Sequence, residues 1–264
     1  MKTNSLKSKE IKKENKVAFK KFVLIMIACL IVGGVMGALS GKIQGDISTI
    51  IAETCTNILK LITPYAALVI TIISIIAVSL LFKKSKKLYE QWDGEDEEKM
   101  ESIESLLSFG LYITALDMIL SYFFFGIGFV VMDYKNNSLI ENIIQDSCYI
   151  GGFIGCMVFI LVAQRKIIDF LKEMNPEKKG SIYDVKFSKK WEESCDEAEK
   201  LAIYKCGYKA YNSVNTACIV LWLFCFIGSS IWNFGIMPVA MVSIIWFVLI
   251  TSYTLESYKI SKRK

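Results

Sequence analysis

The chain has 264 residues, is 53% hydrophobic, carries a formal net charge of +5 and has a mean hydropathy of +0.42. It contains no histidine, which excludes HExxH zinc proteases, Ser-His-Asp hydrolases and histidine kinases. A GxxxxGK[ST] run is also absent, so these residues hold no P-loop ATP-driven motor.

Residues 1–21, MKTNSLKSKEIKKENKVAFKK, carry eight of the 31 lysines and arginines. They read as a disordered basic cytoplasmic tail that touches anionic lipid headgroups. Apolar residues then fall in six blocks: 22–39, 61–82, 106–132, 148–163, 216–231 and 236–255. Crossing a hydrocarbon core of ~30 Å takes about 20 apolar residues as helix. Four blocks satisfy this directly. Block 148–163 extends through Ile167, Ile168 and Phe170 if Gln164, Arg165 and Lys166 snorkel. Block 216–231 takes Trp232 and Phe234 as an interfacial end.

A soluble all-α protein is the competing reading. The run LITPYAALVITIISIIAVSLLF has no charge and no water-facing stripe, which argues against it. The first block outruns the h-region of a signal peptide through Gly33, Gly34, Gly37 and Gly41, with no A-x-A site after it, so it reads as a retained helix. The expected fold is all-α: a polytopic transmembrane bundle of six spans. Residues 22–264 form a single membrane domain that includes cytoplasmic loops 83–105 and 164–215.

Lysine and arginine distribution sets the orientation. With the N-terminus inside, stretches 1–21, 83–104, 164–215 and 257–264 carry eight, five, eleven and four, 28 in all. Lys42, Lys60 and Lys135 are left outside, completing the 31. This bias predicts a multi-pass membrane chain with both termini in the cytoplasm. The positive charge is therefore a topology signal and not a nucleic-acid signal.

Connections differ on the two sides. The outer ones, 41–60, 133–147 and 232–235, are short. Within the first inner one, Asp93-Gly94 reads as a turn, and Glu95, Asp96, Glu97 and Glu98 fall in the next helix's first turn, where carboxylates suit the dipole. The second inner region splits at Pro176 and Gly180. Ser188 or a Ser194-x-x-Glu197 capping box then starts a helix that runs into the fifth span, giving a cytoplasmic juxtamembrane helical hairpin. Trp191, Cys195, Ala198 and Ala202 share one face of that helix, a candidate partner surface. Tyr204, Tyr208 and Tyr211 share another.

Asp117, in LYITALDMILSYFFF, is the one charge well inside a span. Charge there costs about 2.5–3.5 kcal/mol on insertion scales. It reads either as a proton or cation site or as a packing residue bonded to Ser121 or Thr114. The acidic set at 93–98 lacks EF-hand spacing and reads first as helix N-terminal charge. Gly33, Gly37 and Gly41, and Gly151 and Gly155, show small-xxx-small spacing for close helix packing, within the chain or in a homo-oligomer. The eight cysteines form no CxxC pair. Cys55 and Cys148 both lie near the outer surface, as a pair or as two thiols. Cys195 has acidic neighbours rather than the positive partner a nucleophilic thiolate needs. No catalytic residue, cofactor or metal set is predicted.

Three stretches resemble one family. NPEKKGSIYDVKFSKKWEESCDEAEKLAIYKCGYKAYNSVN, WDGED at 92–96 and MVSIIWFVLITSYTLESYK resemble the domain of unknown function 3169 family of bacterial membrane proteins. The resemblance covers nearly the whole chain and implies a multi-span protein from Firmicutes-type bacteria. It implies no activity and carries over no catalytic residue. The functional expectation is a non-enzymatic accessory or partner-binding membrane component, contacting anionic lipids at its basic flanks. The alternative is a small permease or ion- or proton-coupled carrier using Asp117.

Overall fold

The computed structural model describes residues 46–132, 138–231 and 235–262, plus isolated helical positions between Phe19 and Gly34. Most of the basic tail and of the first predicted span, and Gly33, Gly37 and Gly41, lie outside the described residues, although Phe19 and Lys20 of the tail are helical. Among the described residues the secondary structure is entirely helical: α1 (Asp46–Glu90), α2 (Glu97–Val131), α3 (Leu139–Met174), α4 (Phe187–Glu193), α5 (Glu197–Ile231) and α6 (Met237–Lys262). Five of these contain stretches long and apolar enough to cross a membrane, of 38, 35, 36, 33 and 26 residues. The first predicted span is not among those five.

At 1.5 Å per residue, a 35-residue helix is about 52 Å long, well beyond the ~30 Å hydrocarbon core. Each long helix therefore continues past its apolar block into charged sequence. α1 starts at Asp46, where the sequence predicts a connection reaching residue 60. Nothing in DISTIIAETCTNILK breaks a helix, and the first proline, Pro64, sits inside α1. α3 begins earlier than the predicted 148. Ser138 accepts from the Glu141 N–H at 3.3 Å, and Glu141 accepts from the Ser138 N–H at 2.9 Å, a reciprocal capping box that starts the helix.

The chain divides into two units. Residues Glu53–Gly207 form one, built on α1, α2 and α3. Buried positions on α2 run Ile103, Leu107, Gly110, Thr114, Asp117 and Ser121, alternating steps of four and three. On α3 they run Tyr149, Gly152, Cys156, Ile160, Ala163, Ile167, Phe170 and Met174. On α1 Thr63, Ala67, Thr71, Ser74, Val78 and Ser85 are buried. This is a heptad seam on each helix, the spacing that packs helices at small crossing angles. α2 runs antiparallel to α1, since Thr71 meets Asp117 while Val78 clusters with Ile103 and Leu107, and antiparallel to α3, since Thr114 meets Gln164 while Phe125 meets Tyr149.

The seam is layered. At the charged end an apolar cluster joins Val78, Ile103, Leu107, Ala163, Ile167, Phe170 and Met174. Phe170 packs edge-on against Phe82 at 5.5 Å and Tyr89 at 5.4 Å. At the opposite end Phe125 stacks on Tyr149 and Phe153 at 5.3 and 4.0 Å, and the Tyr149 hydroxyl donates to the Phe125 carbonyl. Small residues let the backbones approach. A Cβ on Gly152 would stand 2.8 Å from the Leu68 backbone nitrogen, and one on Gly128 would overlap the Tyr149 ring. Gly151 and Gly155, the predicted packing glycines, face open space instead. The close approach is one residue away from the predicted spacing, because Gly152, not Gly151, lies on the seam.

The other unit comprises Met1–Ala52 and Tyr208–Lys264. Within it α5 and α6 form an antiparallel hairpin. Trp246 Nε1 donates to Asn215 Oδ1 at 2.7 Å, Tyr211 stacks on Tyr253 at 4.4 Å, and Ser229 Oγ donates to the Gly235 carbonyl at 3.0 Å.

Candidate functional site

The middle of the three-helix seam is polar. Asp117, 1% exposed, enters it from α2. Its Oδ1 accepts from Thr71 Oγ1 of α1 and from Ser121 Oγ one turn on, both at 3.3 Å. Ser74 of α1 and Cys156 of α3 also face the carboxyl, but loosely enough that Oδ2 accepts no hydrogen bond from a described residue. Of the two expected partners, Ser121 is engaged. Thr114 instead donates to the Leu111 carbonyl at 2.7 Å and accepts from Gln164 Nε2 at 3.2 Å. The polar layer thus takes side chains from all three helices. Thr71, Ser74 and Cys156 were not singled out by sequence reasoning, and Gln164, read there as a snorkelling residue, turns into the seam instead.

Such a layer is an oxygen-rich cluster in which Asp117 Oδ2 accepts no hydrogen bond from a described residue. Chemically it can hold a proton or a small cation, or fix helix register as a buried polar group does in a coiled coil. A buried unsatisfied oxygen of this kind is uncommon in native proteins.

The first inner connection is built rather than loose. Asp93 Oδ1 accepts from the backbone N–H groups of Glu95 and Asp96, both at 3.2 Å. These bonds hold the Asp93 carboxyl below its usual range. Gly94 supplies the positive φ of 90° that the turn needs. Asp96 is the N-cap of α2, accepting from the Lys99 N–H at 3.1 Å, so Glu95 and Asp96 precede the helix and only Glu97 and Glu98 lie in its first turn. Trp92 donates to the Asp96 carbonyl at 2.9 Å and stacks on Tyr89. The carboxylates at 93 and 96 are therefore committed to backbone, and among the described residues no three Cys, Asp or Glu side chains converge as a metal would need.

The second inner region is a compact hairpin. The predicted continuous helix is interrupted. α4 ends at Glu193 and α5 begins at Glu197, with Cys195 in the break. The capping box is Asp196-x-x-Glu199, not Ser194-x-x-Glu197: Glu199 N donates to Asp196 Oδ1 at 2.7 Å, and Asp196 N donates to Glu199 Oε2 at 3.0 Å. Ser194 is occupied elsewhere, accepting from the Lys179 N–H at 3.1 Å. The same Glu199 carboxylate accepts from Lys178. Lys178 is 8% exposed, 3.6 Å from Cys195 Sγ and 6.0 Å from the Trp191 ring centroid. Burial works against its charge, but Glu199 outweighs it and holds the ammonium above the ordinary lysine range.

Of the four residues on the predicted partner face, then, Cys195 is buried and Trp191 half-buried, while Ala198 and Ala202 are exposed on α5. The break separates the first two from the last two. Burial, outweighing Lys178, pushes the Cys195 thiol up, so it is held as a neutral thiol. Cys55 and Cys148 are both free thiols.

Five long apolar helices with a buried polar layer and a small charged hairpin define a multi-pass helical membrane protein. More narrowly, the chain belongs to the family described as a protein of unknown function (DUF3169), whose model matches residues 16–257. No curated protein and no solved structure matches it.

Proposed function

We propose that this protein is a non-enzymatic, partner-binding component of the bacterial cytoplasmic membrane. It has six spans, the first at 22–39, and both termini face the cytoplasm. The lysine and arginine bias of 28 to three supports the orientation. The observation that carries the partner-binding reading is the start of α5. Leu201, 53% exposed, lies beside exposed Ala198 and Ala202 in a stretch otherwise rich in charge. An exposed apolar strip on a charge-rich helix start, held in place by a fixed latch, supports a docking role. The latch is Lys178–Glu199 with Trp191 and Cys195 beneath it. Pull-down of the detergent-solubilised chain, comparing wild type with Leu201→Glu, tests this. Partners lost only from the variant are expected, and identical partner sets remove the idea.

A second reading has its own support in the buried Asp117 Oδ2. In it the protein is a small ion- or proton-coupled carrier with Asp117 in the pathway. It predicts pH- or ion-dependent flux in proteoliposomes that Asp117→Asn abolishes. Unchanged flux in that variant would leave Asp117 a packing residue.

A further inference from the structure

Between α1 and α3 runs a groove of about 660 Å³, within the ~300–1,000 Å³ usual for small-ligand sites. Its walls are apolar, with Ile75, Val78 and Phe82 on α1 and Gly155, Val158 and Phe159 on α3, and Lys83 and Lys166 close one end. A second cleft of about 480 Å³ shares Phe82, Val162 and Lys166 and adds Lys86 and Arg165 beside Asp169, Glu173 and Tyr183. The two adjoin through these shared residues, so the trough's apolar walls lead into a charged rim where three basic groups outnumber two carboxylates.

We infer that this trough binds one anionic glycerophospholipid, an acyl chain lying along the apolar walls and the phosphate at Lys83 and Lys166. Dimensions support it. Ile75 to Lys83 is eight residues and Gly155 to Lys166 eleven, about 12 and 17 Å of helix. Half of the ~30 Å hydrocarbon core is ~15 Å, so the apolar length matches one leaflet and the lysines fall at headgroup depth. Charge supports it too. Arg165 is engaged by Asp169 at 3.4 Å, but Lys83, Lys86 and Lys166 make no ion pair with a described carboxylate. Unpaired ammonium groups at the end of an apolar trough suit an anionic headgroup. The trough is open beside Gly155, where a Cβ would meet nothing within 4 Å.

The site rests on α1 and α3 lying in a bilayer; it needs neither the docking strip nor the Asp117 pathway, and loss of either would leave it standing. Native mass spectrometry of the full chain in detergent tests it, with phosphatidylglycerol and phosphatidylcholine of identical acyl chains added in equal amounts. Preferential retention of phosphatidylglycerol is expected. Lys83→Gln and Lys166→Gln should each cut the preference about fivefold, while Lys83→Arg with Lys166→Arg keeps it. Gly155→Leu should lower retention of both lipids by filling the trough. Equal retention of the two lipids, or no effect of Gly155→Leu, would overturn the assignment. So would displacement of the bound lipid by an equal concentration of glycerol phosphate, which would mark a free-phosphate site.

Discussion

Glu199 does two jobs with one carboxylate, and substitutions can separate them. It neutralises Lys178, whose side chain is 5% exposed, and it caps α5 through the Asp196 N–H. Removing one partner of a buried pair costs about 3–5 kcal/mol. Here Glu199 itself is 44% exposed, and water reaching the stranded ammonium reduces that to about 1–2 kcal/mol. Glu199→Gln keeps a side-chain acceptor for the cap and loses the charge alone. Glu199→Ala loses both, adding about 1 kcal/mol for the cap. Lys178→Met combined with Glu199→Gln removes both charges and keeps an apolar stem beside Trp191, so it should fall close to wild type.

Hydrogen exchange on the detergent-solubilised protein reads these as opening free energies of amides in 175–196. At ~1.4 kcal/mol per decade, Glu199→Gln should exchange roughly tenfold faster and Glu199→Ala roughly a hundredfold. Exchange in Glu199→Gln equal to wild type, or a double variant less protected than Glu199→Gln, refutes the reasoning. The pH course follows from the sign of the Lys178 shift. A raised lysine contributes fully below its unfolded value of about 10.4 and loses the contribution as pH rises through the folded value. Protection of the hairpin should therefore be flat near neutral pH and fall only in strong alkali.

Gly152→Val should lower the melting temperature in detergent, costing about 1–3 kcal/mol, because its Cβ would press on the Leu68 backbone. Gly151→Val, with open space around it, should not, and equal shifts would contradict the packing described. Gly180→Ala is expected to cost about 1–3 kcal/mol at a φ of 117°, where a Cβ would also stand 2.9 Å from Phe187 Cδ2. Its effect should appear as faster exchange confined to the 175–196 hairpin. The Asp184 carboxyl is held low by Lys190 and then by the Lys186 N–H. That contribution is present above about pH 3.9 and disappears as pH falls through the lowered value. Exchange in 181–190 should accelerate in that acid range, and Asp184→Asn should abolish the dependence.

The membrane character and the helical class were legible because apolar runs as long as 61–82 admit few other solutions. The seam was harder. α2 is apolar almost all round, so hydrophobicity alone does not mark a face. What marks it is the placement of small and polar residues at heptad steps, Gly110, Thr114, Asp117 and Ser121, and a search for apolar periodicity passes over these. Asp117 stood out as a charge. Its partners Thr71, Ser74 and Cys156 did not, because they lie on other helices and single hydroxyls and thiols are common in spans. Helix boundaries erred where local chemistry competes. Two overlapping capping signals, Ser194-x-x-Glu197 and Asp196-x-x-Glu199, sit two residues apart. Tertiary pairing of Glu199 with Lys178 selects the second, and no local pattern contains that information.

Lys83, Lys86, Arg165 and Lys166 contribute to two signals that have different physical requirements. Orientation by the positive-inside bias depends on how many basic residues flank the apolar blocks, and is indifferent to which helix face carries them. A trough that ends in ammonium groups depends on face and depth. α1 must turn Lys83 towards the same gap to which α3 turns Lys166, just where the walls cease to be apolar. The heptad seam meets that requirement without further design. Burying Val78 and Ser85 on one side of α1, and Ala163, Ile167 and Phe170 on one side of α3, leaves positions 82–83, 86 and 165–166 at the seam's margin. The packing that excludes Asp117 from lipid thus also sets the basic side chains at the mouth of the groove, so a change in helix register would disturb both sites together.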